Sequence, residues 1–335
     1  MMQTGQRVLF IAPRFFGYEK EIQAELEAAG CEVDWYDDRP SSTPLMKAAI
    51  RFRPELVKKI VNDYFDEIVR RAAVAAYDVV FVIKGEALPV GKIQALKQVL
   101  PQARFLYYTW DSLRNFKNSH EKLPYFDKVY SFDRFDSIDN ENIRHLPLFY
   151  SRAYEILGQS DKSKERQDID LLFLGSIHSD RYPVVRKIWA AAKQVAPEIS
   201  VYAHFFYQSK WVFAIRKITD RQFRKIPWRD VKWNSLNIKN TLELIGRSKI
   251  LIDVHHPGQT GLTMRTIECL GAKIKLITTN PEVKIYDFYN PDNILVVDRE
   301  RPVIPENFMH AAFHPQAENI YGKYSLREWL AEIFY

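Results

Sequence analysis

The stretch HHPGQTGLTMRTIECLGAKIKLITTN, residues 255–280, places an arginine and a glutamate three residues apart, just after two glycines. Gly258 and Gly261 let a backbone approach a ligand closely and take positive φ. A helix opening near Thr263 presents unpaired N–H groups and a partial positive charge, a ready seat for an anion. In its first turn Arg265 offers a fork of donors matched to a diphosphate. Glu268, on the same helix face, can accept from the two hydroxyls of a ribose. The same spacing also makes an ordinary solvated ion pair, contributing less than about 1 kcal/mol.

The elements around this stretch decide what it can face. RVLFIA (7–12), CEVDWY (31–36), DVVFVIKG (78–85), RFLYYT (104–109) and DKVYSF (127–132) read as strands, with a helix over 18–30 closed by Gly30. A long amphipathic, locally basic stretch at 46–77 reads as a helix or a helix pair broken near Pro54. A second series follows: strands at 168–175, 199–205, 249–254, 273–278 and 293–297, with helices at 181–195, 239–248 and 262–271. Apolar strands alternating with helices indicate βαβ units on parallel sheets. The polar run GQSDKSKERQD (158–168) suits a linker. The expected architecture is α/β: two doubly wound Rossmann-like domains facing across a cleft, at 1–157 and 169–320. A C-terminal helix at 321–335 is expected to pack back on the first domain.

Ligands of such sheets sit beyond the carboxyl ends of the strands, where strand order reverses. That rule discards the metal-motif lookalike Asp168-Ile169-Asp170, which precedes its strand. It retains Asp111, Glu86 and Asp133 as carboxylates able to take a proton. Asp111 is favoured, because Trp110 beside it can limit hydration and raise its pKa; its alternative is a helix N-cap. Lys84, at the end of VIK, can attract a phosphate or an acidic sugar, or neutralise Glu86. Adjacent His255 and His256 point to opposite faces of a strand, so packing or hydrogen bonding suits them better than joint metal ligation.

Composition narrows the class. The chain has 335 residues, 47% hydrophobic and 27% charged, which suits two globular domains. The apolar run at 8–12 ends at Pro13, too short for a signal-peptide core, and no run approaches the ~18 apolar residues of a membrane span. Cys31 and Cys269 need no disulfide, so a reducing cytoplasm is expected. The net charge of +6 is local: 204–233 holds eight basic and two acidic residues. There Phe205, Phe206, Tyr207, Trp211, Phe213, Phe223, Trp228 and Trp233 are interleaved with the cations. The segment suits an anionic membrane surface, or a core whose charges are merely solvated; nucleic acid fits less well because no nucleic-acid module is present.

FLGSIHSDRYPVVRKI (173–188) followed by GLTMRTIECLGAKIKLITTN (261–280) resembles the nucleotide-binding half of GT-B glycosyltransferases, closest to the CgeB-like group and the glycosyltransferase family 1/4-like proteins. The shared pattern is a strand ending in Gly, a helix opened by Arg, and later R-x-x-E before a strand ending in Thr-Asn. The resemblance covers roughly 170–300. It implies that Arg265 meets the donor diphosphate and Glu268 the ribose, with Gly261 and Thr263 at the helix start. Ser176, His178 and Arg181 would line the diphosphate's other side. The first domain would bind the acceptor, with Arg14, Tyr18 and Lys84 on that side and Asp111 or Glu86 as base. The implied reaction moves a sugar from a nucleotide-sugar donor to a hydroxyl of a surface polysaccharide or lipid-linked glycan. No metal or other cofactor is expected, since Arg265 and helix N–H groups can offset the leaving charge. The protein would then be cytoplasmic or peripheral at the inner face of the cell membrane. The alternatives are a GT-B-like sugar-nucleotide epimerase and a non-catalytic two-lobed nucleotide- or sugar-binding protein.

Overall fold

Runs such as RVLFI and VVFVI are apolar at nearly every position, which suits strands covered on both faces. In the computed structural model, which describes residues 4–113, 120–160, 167–258 and 260–335, such runs build two six-stranded parallel sheets.

The first sheet has the order β2-β1-β3-β4-β5-β6. Its strands are β1 (Arg7–Ile11), β2 (Glu32–Tyr36), β3 (Val79–Ile83), β4 (Arg104–Thr109), β5 (Lys128–Ser131) and β6 (Ile143–His145). Between them run α1 (Tyr18–Ala28), α2 (Pro44–Phe52), α3 (Pro54–Ala75), α4 (Val90–Val99) and α5 (Arg134–Asp139). The stretch 46–77 is thus a helix pair, cut where Pro54 opens α3. Val57, Val61, Phe65, Ile68 and Ala72 form one buried stripe of α3 at helical spacing.

The second sheet has the order β12-β11-β10-β7-β8-β9. Its strands are β7 (Ile169–Ser176), β8 (Val201–Phe206), β9 (Val231–Lys232), β10 (Ser248–Asp253), β11 (Lys275–Thr278) and β12 (Ile294–Val296). The helices are α6 (Arg152–Gln159), α7 (Arg181–Val195), α8 (Lys210–Thr219), α9 (Arg221–Arg224), α10 (Ile238–Gly246), α11 (Met264–Gly271), α12 (Glu306–His310) and α13 (Glu318–Lys323). Among the described residues no helix is long and apolar enough to cross a membrane.

Packing divides the chain into Met1–Leu148 with Leu326–Tyr335, and Phe149–Ser325. The division therefore precedes α6, earlier than the 157/158 boundary read from composition. The reason is a close helix contact. A Cβ on Gly158 would overlap the Gly271 carbonyl, and one on Gly271 would overlap the Tyr150 ring, so only glycines let α6 lie this near α11. Of the linker read at 158–168, residues 158–160 close α6, and 161–166 lie outside the described residues. Asp168 is held by Arg247 through bonds of 2.9 and 2.8 Å.

The stretch 321–335 is two helices, not one: α13 ends at Lys323, and α14 (Leu326–Phe334) belongs to the first unit. Trp329 of α14 is buried, with its ring centroid 4.7 Å from Tyr108 and 6.1 Å from Phe81. Arg104 donates to the Phe334 carbonyl at 2.9 Å and ties the helix end down.

Candidate functional site

Strand order in the second sheet reverses between β7 and β10, so helices α7 and α11 leave neighbouring strands and open a crevice at their carboxyl ends. The loops there carry most of the residues singled out by sequence. Arg181, first residue of α7, reaches across and donates through Nε to the Val254 carbonyl at 2.8 Å. Burial lowers the Arg181 guanidinium pKa; Arg265 and Arg299 push the same way, while Asp253 and Asp180 oppose them. Three arginines thus share one electrostatic neighbourhood.

Asp253, at the end of β10, is buried and accepts from Thr263 Oγ1 at 2.9 Å and Thr266 Oγ1 at 3.1 Å. Thr263 is the N-cap of α11 and also accepts from the Thr266 N–H. Its hydroxyl therefore holds the helix start in place, and the loop backbone is what it leaves for a ligand. Gly258 does not take the positive φ expected of it. The Asn280 side chain instead shapes the loop by donating to the carbonyls of Thr260 and Gly261 at 3.1 and 3.4 Å.

Arg265 Nη1 lies 2.6 Å from Glu268 Oε2, and their side chains are 22% and 3% exposed. This is no solvated surface pair. The carboxylate is enclosed, and the arginine carries the pair to the surface. Tyr154 of α6 is hydrogen-bonded to both; burial first, then Glu268, raises its hydroxyl pKa well above the ordinary value. The two glycines that bring α6 against α11 are therefore what put this hydroxyl on the pair.

Ser176 and His178 lie on the other side of the β7 loop. They line a cavity of about 390 Å³ with Phe206, Gln208, Arg216 and Asp220. Burial, then Arg181 and His256, pushes the His178 pKa down to about 4. His255 is pushed down to about 4 by burial and Arg299, and its Nδ1 is 2.9 Å from Thr279 Oγ1. His256 accepts from the Gly258 N–H at 3.1 Å. A larger cavity of about 760 Å³, lined by Asp170, Lys249 and Lys275, lies at the strands' amino ends. There Asp170 is paired with Lys249 at 2.8 Å.

The first unit gathers a different set beyond the carboxyl ends of β1 to β4. Lys84 Nζ stands 2.8 Å from Asp111 Oδ2 and 3.5 Å from Glu86 Oε2. Asp111 is thus paired with a cation, and the neighbouring Trp110 ring packs near Phe15 and Tyr18. The segment Asp111 would cap as a helix N-cap runs into residues 114–119, outside the described residues. Lys84 holds φ of +63°, a conformation costing a non-glycine residue on the order of 1 kcal/mol. Arg39 joins Asp38 at 2.7 Å and Glu86 at 3.3 Å. Lys122 donates to the Gly85 carbonyl at 2.6 Å, and burial lowers its pKa to about 8.

Arg14 is 3.4 Å from Asp37 and lies over the Trp35 ring. Tyr18 is buried, with Phe15 and Trp110 ring centroids at 6.3 and 6.4 Å. Asp133 is the N-cap of α5, accepting from the Phe135 N–H, so it is not a free base.

Sequence reasoning missed Arg299, whose Nη1 is 2.7 Å from both Asp180 carboxylate oxygens and whose Nη2 donates to the His255 carbonyl. It also missed Asp253, Tyr154, Asp38, Arg39 and Lys122. Arg299 and the 37–39 run follow strands, so the carboxyl-end rule applied to every strand finds them. Tyr154 has no such signal.

No protein-family model matches this chain, and no curated protein matches it. Solved structures do. A glycosyltransferase from Rickettsia africae ESF-5 is 13% identical with a TM-score of 0.56, covering 98% of this chain and 97% of that one. An alpha-glucosyltransferase in complex with UDP and mismatched DNA is 14% identical with a TM-score of 0.55, covering 99% and 95%. The UDP-GlcNAc 2-epimerase of Methanocaldococcus jannaschii, in complex with UDP-GlcNAc and UDP, is 12% identical with a TM-score of 0.52, covering 98% and 99%. With its two six-stranded parallel sheets and flanking helices, the protein has the GT-B fold.

Proposed function

We propose that this protein is a glycosyltransferase of the CgeB-like kind, moving a sugar from a nucleotide-sugar donor to a hydroxyl of a surface polysaccharide or lipid-linked glycan. The observation that carries the reading is that Arg181 and Arg299 hold the successive carbonyls of Val254 and His255 after β10, while Arg265, anchored on enclosed Glu268, lies in the first turn of the helix that follows. As the bond from the sugar's anomeric carbon to the donor phosphate breaks, charge grows on the leaving diphosphate. Guanidinium forks, the loop backbone at Gly261 and the N–H groups that open α11 after Thr263 stabilise that charge without a bound metal. Ser176 and neutral His178 face the diphosphate's other side. Glu268 orients Arg265.

In the first unit Asp111 accepts the acceptor hydroxyl's proton, with Glu86 as the neighbouring carboxylate and Lys84 holding both. Arg14 and Tyr18 lie on the acceptor side. A lipid-linked acceptor would keep the protein at the cytoplasmic face of a membrane, reached through 204–233.

The test is a thermal-shift panel of UDP, GDP, ADP, TDP and CMP, followed by a sugar-release assay with the matching nucleotide sugars. Stabilisation by one nucleotide supports the reading; at ~100 times the dissociation constant it amounts to about 2.7 kcal/mol. No shift with any of them at millimolar concentration would overturn it in favour of a non-catalytic sugar-binding protein. The epimerase in the same fold supports a second reading. An epimerase would interconvert sugar nucleotides with no acceptor present, whereas a transferase needs one.

A further inference from the structure

Residues 204–233 divide sharply between inside and outside. Phe213 is buried and packs its ring against Tyr207, Phe223, Trp228 and Trp233, at centroid distances of 5.4, 5.8, 5.0 and 5.5 Å. This inner cluster pins α8 to the second unit. The outer face of α8 does the reverse: Trp211 is 83% exposed, Ile215 59% and Ile218 72%. Spacings of four and three residues set these three in one row along the helix. Nothing in the fold requires large apolar side chains there, since they contact solvent.

The cations surround this row. Lys210 and Arg216 flank it on α8, and Arg221, Arg224, Lys225 and Arg229 follow it, all exposed, with Asp220 and Asp230 as the acidic residues among them. A short apolar row ringed by cations complements a surface that is apolar beneath and anionic above.

We propose that the outer face of α8, with the cations of α9 and the turn after it, docks the protein on an anionic lipid surface. Trp211, Ile215 and Ile218 enter the boundary between headgroups and acyl chains, while the cations stay among the phosphates. Arg216 also lines the cavity beside Ser176 and His178, whereas Trp211, Ile215, Ile218, Arg221, Lys225 and Arg229 do not. The docking surface rests on the proposed function only in that a lipid-linked acceptor would give it a purpose.

The experiment sediments the full chain with vesicles of phosphatidylcholine alone and of phosphatidylcholine mixed with phosphatidylglycerol. The chain should sediment with the mixed vesicles, weakly or not at all with the neutral ones, and less as salt rises. The triple variant Trp211→Ser, Ile215→Ser, Ile218→Ser should lose at least about tenfold in partitioning. The variant Arg221→Ser, Lys225→Ser, Arg229→Ser should lose about fivefold per cation. Both change exposed residues, so unchanged melting and nucleotide-induced shifts would show that fold and donor site are intact. Absence of binding to mixed vesicles, or binding that survives the triple variant, would overturn the proposal. So would a dimer in sedimentation velocity that the triple variant dissociates while lipid binding is absent; the face would then be an interface between copies.

Discussion

Replacing Arg265 with alanine should expose two separable roles. The Glu268 carboxylate is 3% exposed and keeps its arginine at 2.6 Å. Removing one partner of a buried pair costs about 3–5 kcal/mol, because the remaining charge is enclosed without a counterion. Arg265 itself is 22% exposed, so water can enter where it stood, and Tyr154 still reaches the carboxylate. A loss of about 2–3 kcal/mol is the expected result. For a unit the size of Phe149–Ser325 that lowers the melting temperature by roughly 4–9 °C.

The companion variant Arg265→Ala, Glu268→Gln replaces the stranded carboxylate with a neutral amide of the same shape. It should recover most of the lost stability. Its response to the stabilising nucleotide should stay absent, since the fork that meets the diphosphate is still missing. Differential scanning calorimetry with and without nucleotide reads both quantities. A single variant costing under about 0.5 kcal/mol would show that the pair is as solvated as an ordinary surface pair. A double variant that keeps the full nucleotide shift would remove Arg265 from the donor site.

Asp111→Asn should abolish transfer while leaving the nucleotide-induced shift unchanged, whereas loss of both would point to disrupted folding around Lys84. Gly271→Ala should destabilise the second unit by about 1–3 kcal/mol in urea unfolding, because the new Cβ overlaps the Tyr150 ring; a neutral result would mean that α6 can move away from α11. Stability should fall as pH drops from 6.5 to about 4, where unfolded histidines bind protons that His178 and His255 refuse. The slope per histidine is at most about 1.4 kcal/mol per pH unit, less for their partial exposure, and His178→Gln, His255→Gln should flatten it. A saturating diphosphate should shift this acid loss to lower pH in wild type, since it binds only the folded state and its charge favours protonated His178.

The sequence by itself determined the alternation of apolar strands and helices, and with it the α/β class. A parallel strand buried on both faces must be apolar throughout, and such runs are visible one at a time. The edge strands β6 and β9 were not legible: IRH and VK are too short and too polar to show a period, and they form only because a neighbouring strand offers a ladder. Arg265 and Glu268 could be read from spacing, because three residues along a helix bring two side chains together locally. Whether that pair is solvated or enclosed could not, since its burial comes from Tyr154 and from the glycine contact between α6 and α11, a hundred residues apart in the chain. The same holds for the partnership of Lys84 with Asp111 and for the approach of Arg299 to Asp180. Each joins loops that follow different strands. Strand order makes the loops after β3 and β4 neighbours, whereas β11 and β10 separate β12 from β7, so the path of the chain after β12 is what brings Arg299 to Asp180; both are properties of tertiary packing.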